Sequence, residues 1–186
     1  RFYIIRGDFM KKQHPTVVLL LHSLFIFAAA IIGMMYAEFH GLAALFNPLY
    51  GAAIGLYLVY QKKAFPAIFG GVTLAVIVYR IVVLDESIWI TLAVLLFVVL
   101  GIVIDIVVYS FLVVKTKLDL SVILHVKYVS RLVGIALFVA FIGSIIPFLG
   151  YYLIWGAVDL QTMYFSQVIG TFSGIIVFSS LTVNAY

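Results

Sequence analysis

The sequence contains no cysteine and few charged residues. The absence of cysteine among its 186 residues excludes disulfide bonds, thiolate catalysis and cysteine-held metal or iron–sulfur sites. Only 10% of the residues are charged, whereas soluble domains average about 25%. With 66% hydrophobic residues and a mean hydropathy of +1.28, the composition predicts a membrane protein.

The long apolar runs predict an all-α integral membrane protein, a bundle of about six transmembrane helices. A membrane-spanning helix needs about 20 mostly apolar residues, and six runs approach that length. Because the apolar stretch before the last run is too long for one crossing, an interfacial helix is expected near 118–128. The predicted spans are 16–37, 48–60, 66–84, 88–114, 129–149 and 165–184, and Pro147 is expected to bend or end the fifth.

The charged residues between these spans alternate in sign. Basic residues occupy the amino terminus and every second connection: Arg1, Arg6, Lys11, Lys12, Lys62, Lys63, Lys115 and Lys117. The other connections carry Glu38, Asp85, Glu86 and Asp159. Since positive loops face the cytoplasm, both termini are predicted to be cytoplasmic. The net charge of +4 then reflects topology and gives no indication of nucleic-acid binding.

Three ionisable residues in or beside the spans are candidates for function, because such groups are costly in a membrane. Asp105 lies roughly 13 Å from the inner end of span four, too deep for its short side chain to reach water. It requires a proton, a cation, a polar ligand or an ion pair, and Arg131 is the best-placed ion-pair candidate. Arg80 lies near the outer end of span three, where snorkelling to the interface, with Asp85 and Glu86 nearby, would explain it.

No pattern of catalytic or cofactor-binding residues accompanies these charges. The four histidines show no paired spacing that would hold haem, and no lysine lies deep enough in a span to bind retinal. Phosphate-binding loops, Ser-His-Asp order and glutamate-rich metal sets are also missing. The sequence therefore predicts no cofactor, no metal and no enzymatic activity within this chain.

Two pairs of glycines have the spacing of helix-packing motifs. Gly51 and Gly55 lie in span two, and Gly170 and Gly174 lie in span six. Small residues four apart allow helix backbones to approach closely in a bilayer. Packing within the chain is the favoured interpretation, with a homodimer interface as the alternative.

The segments 45–83 and 167–183 resemble the first class of MASE-type membrane-associated sensor domains. The first contains Asn47-Pro48-Leu-Tyr-Gly51, a basic turn and a second helix start at Pro66, followed by Gly70 and Gly71. The second contains Gly170-Thr171-Phe-Ser-Gly174. Asn47 stands where the family often has tryptophan, Thr171 where it often has aspartate, and Ser179 where it often has proline.

The resemblance implies one sensory domain over residues 1–186, at the amino terminus of a longer bacterial inner-membrane protein. The following cytoplasmic output domain would be a diguanylate cyclase or phosphodiesterase of cyclic-di-GMP signalling, or a histidine kinase. A small molecule or another membrane protein would supply the signal. Our candidate signal-binding residues are Asp105, Arg131, Glu38, Asn47, Pro48, Gly51, Gln167, Gly170, Thr171 and Gly174.

Two other functions fit the same topology. The substrate-binding subunit of an energy-coupling-factor vitamin importer also has about six spans with both termini inside. In that case Ala28, Ala29, Ala30 and Gly33 of span one would form the docking face for a coupling subunit. A structural anchor that dimerises an output domain through a GxxxG face is the third interpretation.

Overall fold

The computed structural model describes residues 15–39, 47–116, 126–156 and 160–179, and these residues are helical with short turns and no β-strand. This agrees with the predicted all-α class. Helices α3 and α7 continue without interruption into π-helical segments at Val78–Val83 and Ile175–Ser179. The α-helices are α1 Pro15–Phe39, α2 Pro48–Tyr60, α3 Phe65–Ile77, α4 Ile88–Lys115, α5 Val126–Gly143, α6 Ile145–Trp155 and α7 Leu160–Gly174.

Five helical stretches in the described part of the chain are long and apolar enough to cross a membrane. They are Thr16–Met35, Pro48–Val83, Ile88–Val113, Val129–Trp155 and Gln161–Ser179. The second of them contains both α2 and α3, separated by a 3₁₀ turn at Gln61–Ala64. Gln61 has a φ of 54°, and an α-helix cannot continue through a residue with a positive φ.

Helices α2 and α3 run in opposite directions along α1. The Tyr60 ring, at the end of α2, lies 4.8 Å from the His22 ring near the start of α1. The start of α2 lies near Gly33, so α1 and α2 are antiparallel. Helix α3 is parallel to α1, because Gly71 contacts Ile26 and the Tyr79 hydroxyl donates to the Met34 carbonyl at 3.4 Å.

The helical path of α5 is interrupted at Ser144 and resumes as α6. The Ser144 amide still donates to the Ala140 carbonyl at 3.1 Å, and the path continues to Trp155. The predicted end of span five at 149 is therefore wrong, although the predicted disturbance near Pro147 occurs three residues earlier. Pro147 is buried because α4 presents Gly101, which has no side chain, at this contact.

Large apolar side chains cover the outside of the bundle. On α4 they recur mostly every four residues, which places them along one side of the helix. A surface of this kind is suited to lipid and unusual for a soluble monomer. The exposed apolar residues of α4 are Ile88, Trp89, Leu92, Leu96, Leu100, Val107 and Phe111.

Candidate functional site

The start of α2 crosses the second half of α7 at backbone contact. The Asn47 amide donates to the Gly170 carbonyl at 3.1 Å. A Cβ atom at Gly51 would overlap the Gly174 carbonyl oxygen, and one at Gly174 would overlap the Asn47 carbonyl oxygen. Glycines from both GxxxG motifs thus face each other within one chain, which confirms the intramolecular interpretation of this contact.

Helix α2 begins well inside the bundle. Its N-cap Asn47 lies beside Gly170, roughly 15 Å along α7 from the first residue of that helix. The Asn47 side-chain oxygen accepts a hydrogen bond from the Leu49 amide at 3.3 Å, and Pro48 occupies the first turn, where no intrahelical N–H is needed. A helix of 13 residues is about 20 Å long, shorter than the ~30 Å apolar core of a bilayer.

Tyr50 connects this crossing to the candidate residues on other helices. Its side chain is 2% exposed, forms a hydrogen bond with Gln167, and interacts electrostatically with Asp105 and Tyr151. Tyr50 was not among the residues selected from the sequence. Its apolar neighbours in the chain carry no signal of a polar role, and only the packing of α2 against α4 and α7 reveals it.

Thr171 lies opposite the break between α5 and α6. The Ser144 hydroxyl donates to the Thr171 hydroxyl at 3.5 Å, and both side chains are buried. Hydroxyl pairs of this kind hold neighbouring membrane helices together. The interrupted helix therefore has a polar contact with the helix that carries the Gly170 and Gly174 motif.

Asp105 has neither a hydrogen bond nor an ion pair with any described residue. Its side chain is 1% exposed, and both carboxyl oxygens lack a partner. The predicted pairing with Arg131 is wrong. Arg131 is exposed on α5 and lies 12 residues before Gly143, which the Asp105 carboxyl contacts. At 1.5 Å rise per residue, this separation is about 18 Å along the helix.

Arg80 is 7% exposed, so its side chain is enclosed by the protein and does not extend into solvent. The buried guanidinium donates to both carboxyl oxygens of Glu86, at 2.8 and 2.9 Å. It also donates to the Tyr151 hydroxyl at 3.2 Å and lies 4.9 Å from the centroid of the Trp155 ring. The expectation that an acidic residue of the following turn balances Arg80 is confirmed for Glu86.

The remaining predicted residues lie either within the bundle or outside the described residues. The side chain of Glu38 lies outside the described residues. Most of the predicted interfacial helix at 118–128 also lies outside them. Of the four small residues on α1, Ala29, Ala30 and Gly33 are buried within the chain. The importer docking face predicted there is therefore covered by the chain's own helices.

The buried side chains of Tyr50, Asp105, Ser144 and Thr171 thus lie in one region bounded by α2, α4, the α5–α6 break and α7. Within the described ranges, no group of three or more histidine, aspartate or glutamate side chains could hold a metal ion. The region offers hydroxyl, amide and carbonyl groups around a single carboxyl group. No protein-family model, no curated protein and no solved structure matches the chain.

Proposed function

We propose that the chain is a sensory domain of a bacterial inner membrane that controls a following cytoplasmic output domain. Two separate segments carry the resemblance to MASE-type sensor domains, and the packing of those segments supports the proposal. Asn47 and Gly51 from the first segment contact Gly170 and Gly174 from the second. The segments that define the resemblance therefore form one structural unit around a buried polar region.

We further propose six membrane crossings with both termini in the cytoplasm. The antiparallel arrangement of α2 and α3 supports counting their continuous apolar stretch as two passes. Lys62 and Lys63 are exposed at the turn between them, and Asp85 is exposed at the turn after α3. In the proposed orientation the lysines face the cytoplasm and the aspartate faces outward, as the distribution of charge requires.

The absence of cysteine allows a direct test of this orientation. Lys63→Cys and Asp85→Cys each introduce one thiol at an exposed turn. A membrane-impermeant maleimide added to intact spheroplasts should label the cysteine at 85 and leave the one at 63 unlabelled until the membrane is opened. Labelling of the cysteine at 63 in intact spheroplasts would contradict the orientation.

Signalling would proceed by a shift between two packings of α2 against α7, with the signal favouring one of them. Helix α7 is the last helix described before the carboxyl terminus, so a change at Gly174 has a short route to an attached output domain. The π-helical segment Ile175–Ser179 follows that glycine directly. Such segments are often found at functional sites, and this one is a suitable place for the helix to change register.

The gene itself provides the first test of the sensory role. We expect the reading frame to continue past Tyr186 into a diguanylate cyclase, phosphodiesterase or histidine kinase domain. A stop codon directly after Tyr186, or a downstream domain without signalling activity, would contradict the proposal.

The second test uses variants of the full-length protein. Pro48→Leu changes the start of α2, and Thr171→Val changes α7 beside the crossing. We expect both variants to alter the basal activity of the output domain or its response to the signal. Gly134→Ala is the matched control, because Gly134 has no neighbouring atom within 4 Å and its variant should signal normally. Membrane levels of all variants are compared by immunoblot, and unchanged output from both test variants at normal levels would refute this site.

The alternatives have lost support in the described part of the chain. Three of the four small α1 residues expected to dock a coupling subunit are buried, so the importer has no specific observation in its favour. The dimeric anchor was predicted to use a GxxxG face, and Gly51, Gly170 and Gly174 already take part in the internal crossing.

A further inference from the structure

Asp105 is the one buried acidic residue in the described ranges, and its environment does not compensate a negative charge. Arg80, the one buried residue among the arginines and lysines of the same ranges, forms an ion pair with Glu86. An isolated carboxylate in an apolar interior is strongly disfavoured, and ionisable groups inside membranes mark sites of ion or ligand binding. A positively charged ligand would supply the counter-charge that no described side chain provides for Asp105.

The Asp105 carboxyl group lies directly against the backbone of α5. A Cβ atom at Gly143 would overlap Oδ1 of Asp105 and would lie 2.8 Å from Oδ2. Glycine at 143 therefore creates the space that the carboxyl group occupies. Because the carboxyl group already occupies this space, a ligand at the same place would have to be of atomic size.

The same place on α5 provides a second oxygen with an unusual environment. In a continuous helix the Gly143 carbonyl would accept from the amide four residues later, but that residue is Pro147, which has no N–H. The oxygen faces α4, 3.6 Å from the position of a Cβ atom at Gly101. Gly101 and Asp105 are four residues apart and share one side of α4.

Hydroxyl groups complete the set of oxygens around the break. Ser144 directly follows Gly143, and its hydroxyl lies 3.5 Å from that of Thr171. Carboxylate, carbonyl and hydroxyl oxygens are ligands for hard cations, and interrupted membrane helices coordinate sodium ions through free carbonyls.

We propose that Asp105 and the Gly143 carbonyl oxygen, together with the Ser144 hydroxyl, bind a sodium ion between α4 and the α5–α6 break. A single carboxylate balances the charge of a monovalent ion, whereas a divalent ion would leave a net positive charge. The proposal is independent of the sensory function, since a structural, sensed or transported ion would use the same ligands.

The test measures thermal unfolding of the purified full chain in detergent micelles at constant ionic strength. Sodium chloride is titrated against choline chloride, which cannot enter a site of atomic size. Because sodium that binds only the folded state stabilises it by RT ln(1 + [Na+]/Kd), sodium at about 100 times its Kd should lower the unfolding equilibrium constant about 100-fold. The control Asp85→Asn, at an exposed turn, should keep the full response.

Asp105→Asn keeps the side-chain shape, removes the carboxylate and should abolish the response to sodium. If this variant does not fold, Ser144→Ala is the alternative test, because it keeps the carboxylate. It should raise the sodium concentration that gives half of the maximal stabilisation, by about tenfold. Binding of radioactive sodium, displaced by unlabelled sodium and not by choline, would measure the site directly.

Three results would overturn the proposal. They are an absence of sodium binding to the wild-type chain, an equal sodium response in Asp105→Asn, and a wild-type stability that depends on pH through Asp105 without depending on sodium. The last result would mean that Asp105 holds a proton. Failure of the sensory tests would leave these measurements unaffected, so the two proposals are separable.

Discussion

Replacing Gly51 by alanine provides the sharpest test of the α2–α7 crossing. The added Cβ would overlap the Gly174 carbonyl oxygen, lie 2.5 Å from its carbonyl carbon and lie 2.9 Å from the Phe178 Cβ. Two of these three atoms belong to the backbone of α7, and no side-chain rotation moves any of them away. The two helices must therefore separate to accept a single methyl group.

The expected destabilisation is the difference between two opposing effects. Overpacking costs about 1–3 kcal/mol, and the backbone overlap places this substitution near the upper end. The higher helix propensity of alanine returns about 1 kcal/mol. We therefore expect Gly51→Ala to lower the free energy of unfolding by about 2 kcal/mol, equivalent to a decrease in Tm of roughly 4–8 °C for a chain of this size.

Gly134→Ala is the matched control for that measurement. Gly134 lies on the exposed side of α5 with no atom within 4 Å of an added Cβ, so only the propensity gain of up to about 1 kcal/mol applies. Thermal unfolding in micelles, followed by the fluorescence of Trp89 and Trp155 and by circular dichroism, compares the two variants. Equal stability of Gly51→Ala and Gly134→Ala would refute the close crossing.

Three further substitutions test other contacts by the same unfolding measurement. Arg80→Met removes the hydrogen bonds to Glu86 and should cost about 1.5–3 kcal/mol; wild-type stability would show that the buried pair contributes nothing. Thr171→Val should cost only about 0.6 kcal/mol, and a much larger loss would contradict the long hydroxyl contact described for it. Gly143→Ala should destabilise the wild type more than it destabilises Asp105→Ala, with a coupling energy of about 0.5–3 kcal/mol, whereas additive effects would exclude contact between these two positions.

The first and last residues of most helices could be predicted from the sequence, because they depend on local chemistry. The predicted segment 48–60 coincides with α2, since Asn47 and Pro48 form a standard helix start and the basic turn follows Tyr60. The limits of span four differ from those of α4 by one residue. Span five was predicted to end too early, because the helical path resumes at Ile145 and continues past Pro147 to Trp155, which no local signal in the sequence indicates.

Contacts between side chains on different helices could not be predicted in the same way. The sequence identified Asp105 as unusual, but it suggested Arg131 as its counterion and did not indicate Gly143. It also placed Arg80 at the membrane surface, whereas the packing of Glu86, Tyr151 and Trp155 encloses it. Tyr50 was missed altogether.

The sequence by itself determined the apolar environment, the helical class and most helix limits of this protein. These follow from composition, apolar length and the local chemistry of proline, asparagine and glycine. Only the tertiary structure decided which polar groups meet, because the lipid-facing and protein-facing sides of membrane helices are similarly apolar. Hydropathy therefore could not reveal that Asp105 faces a break in α5 while Gly51 faces Gly174, and close packing between helices selected both contacts.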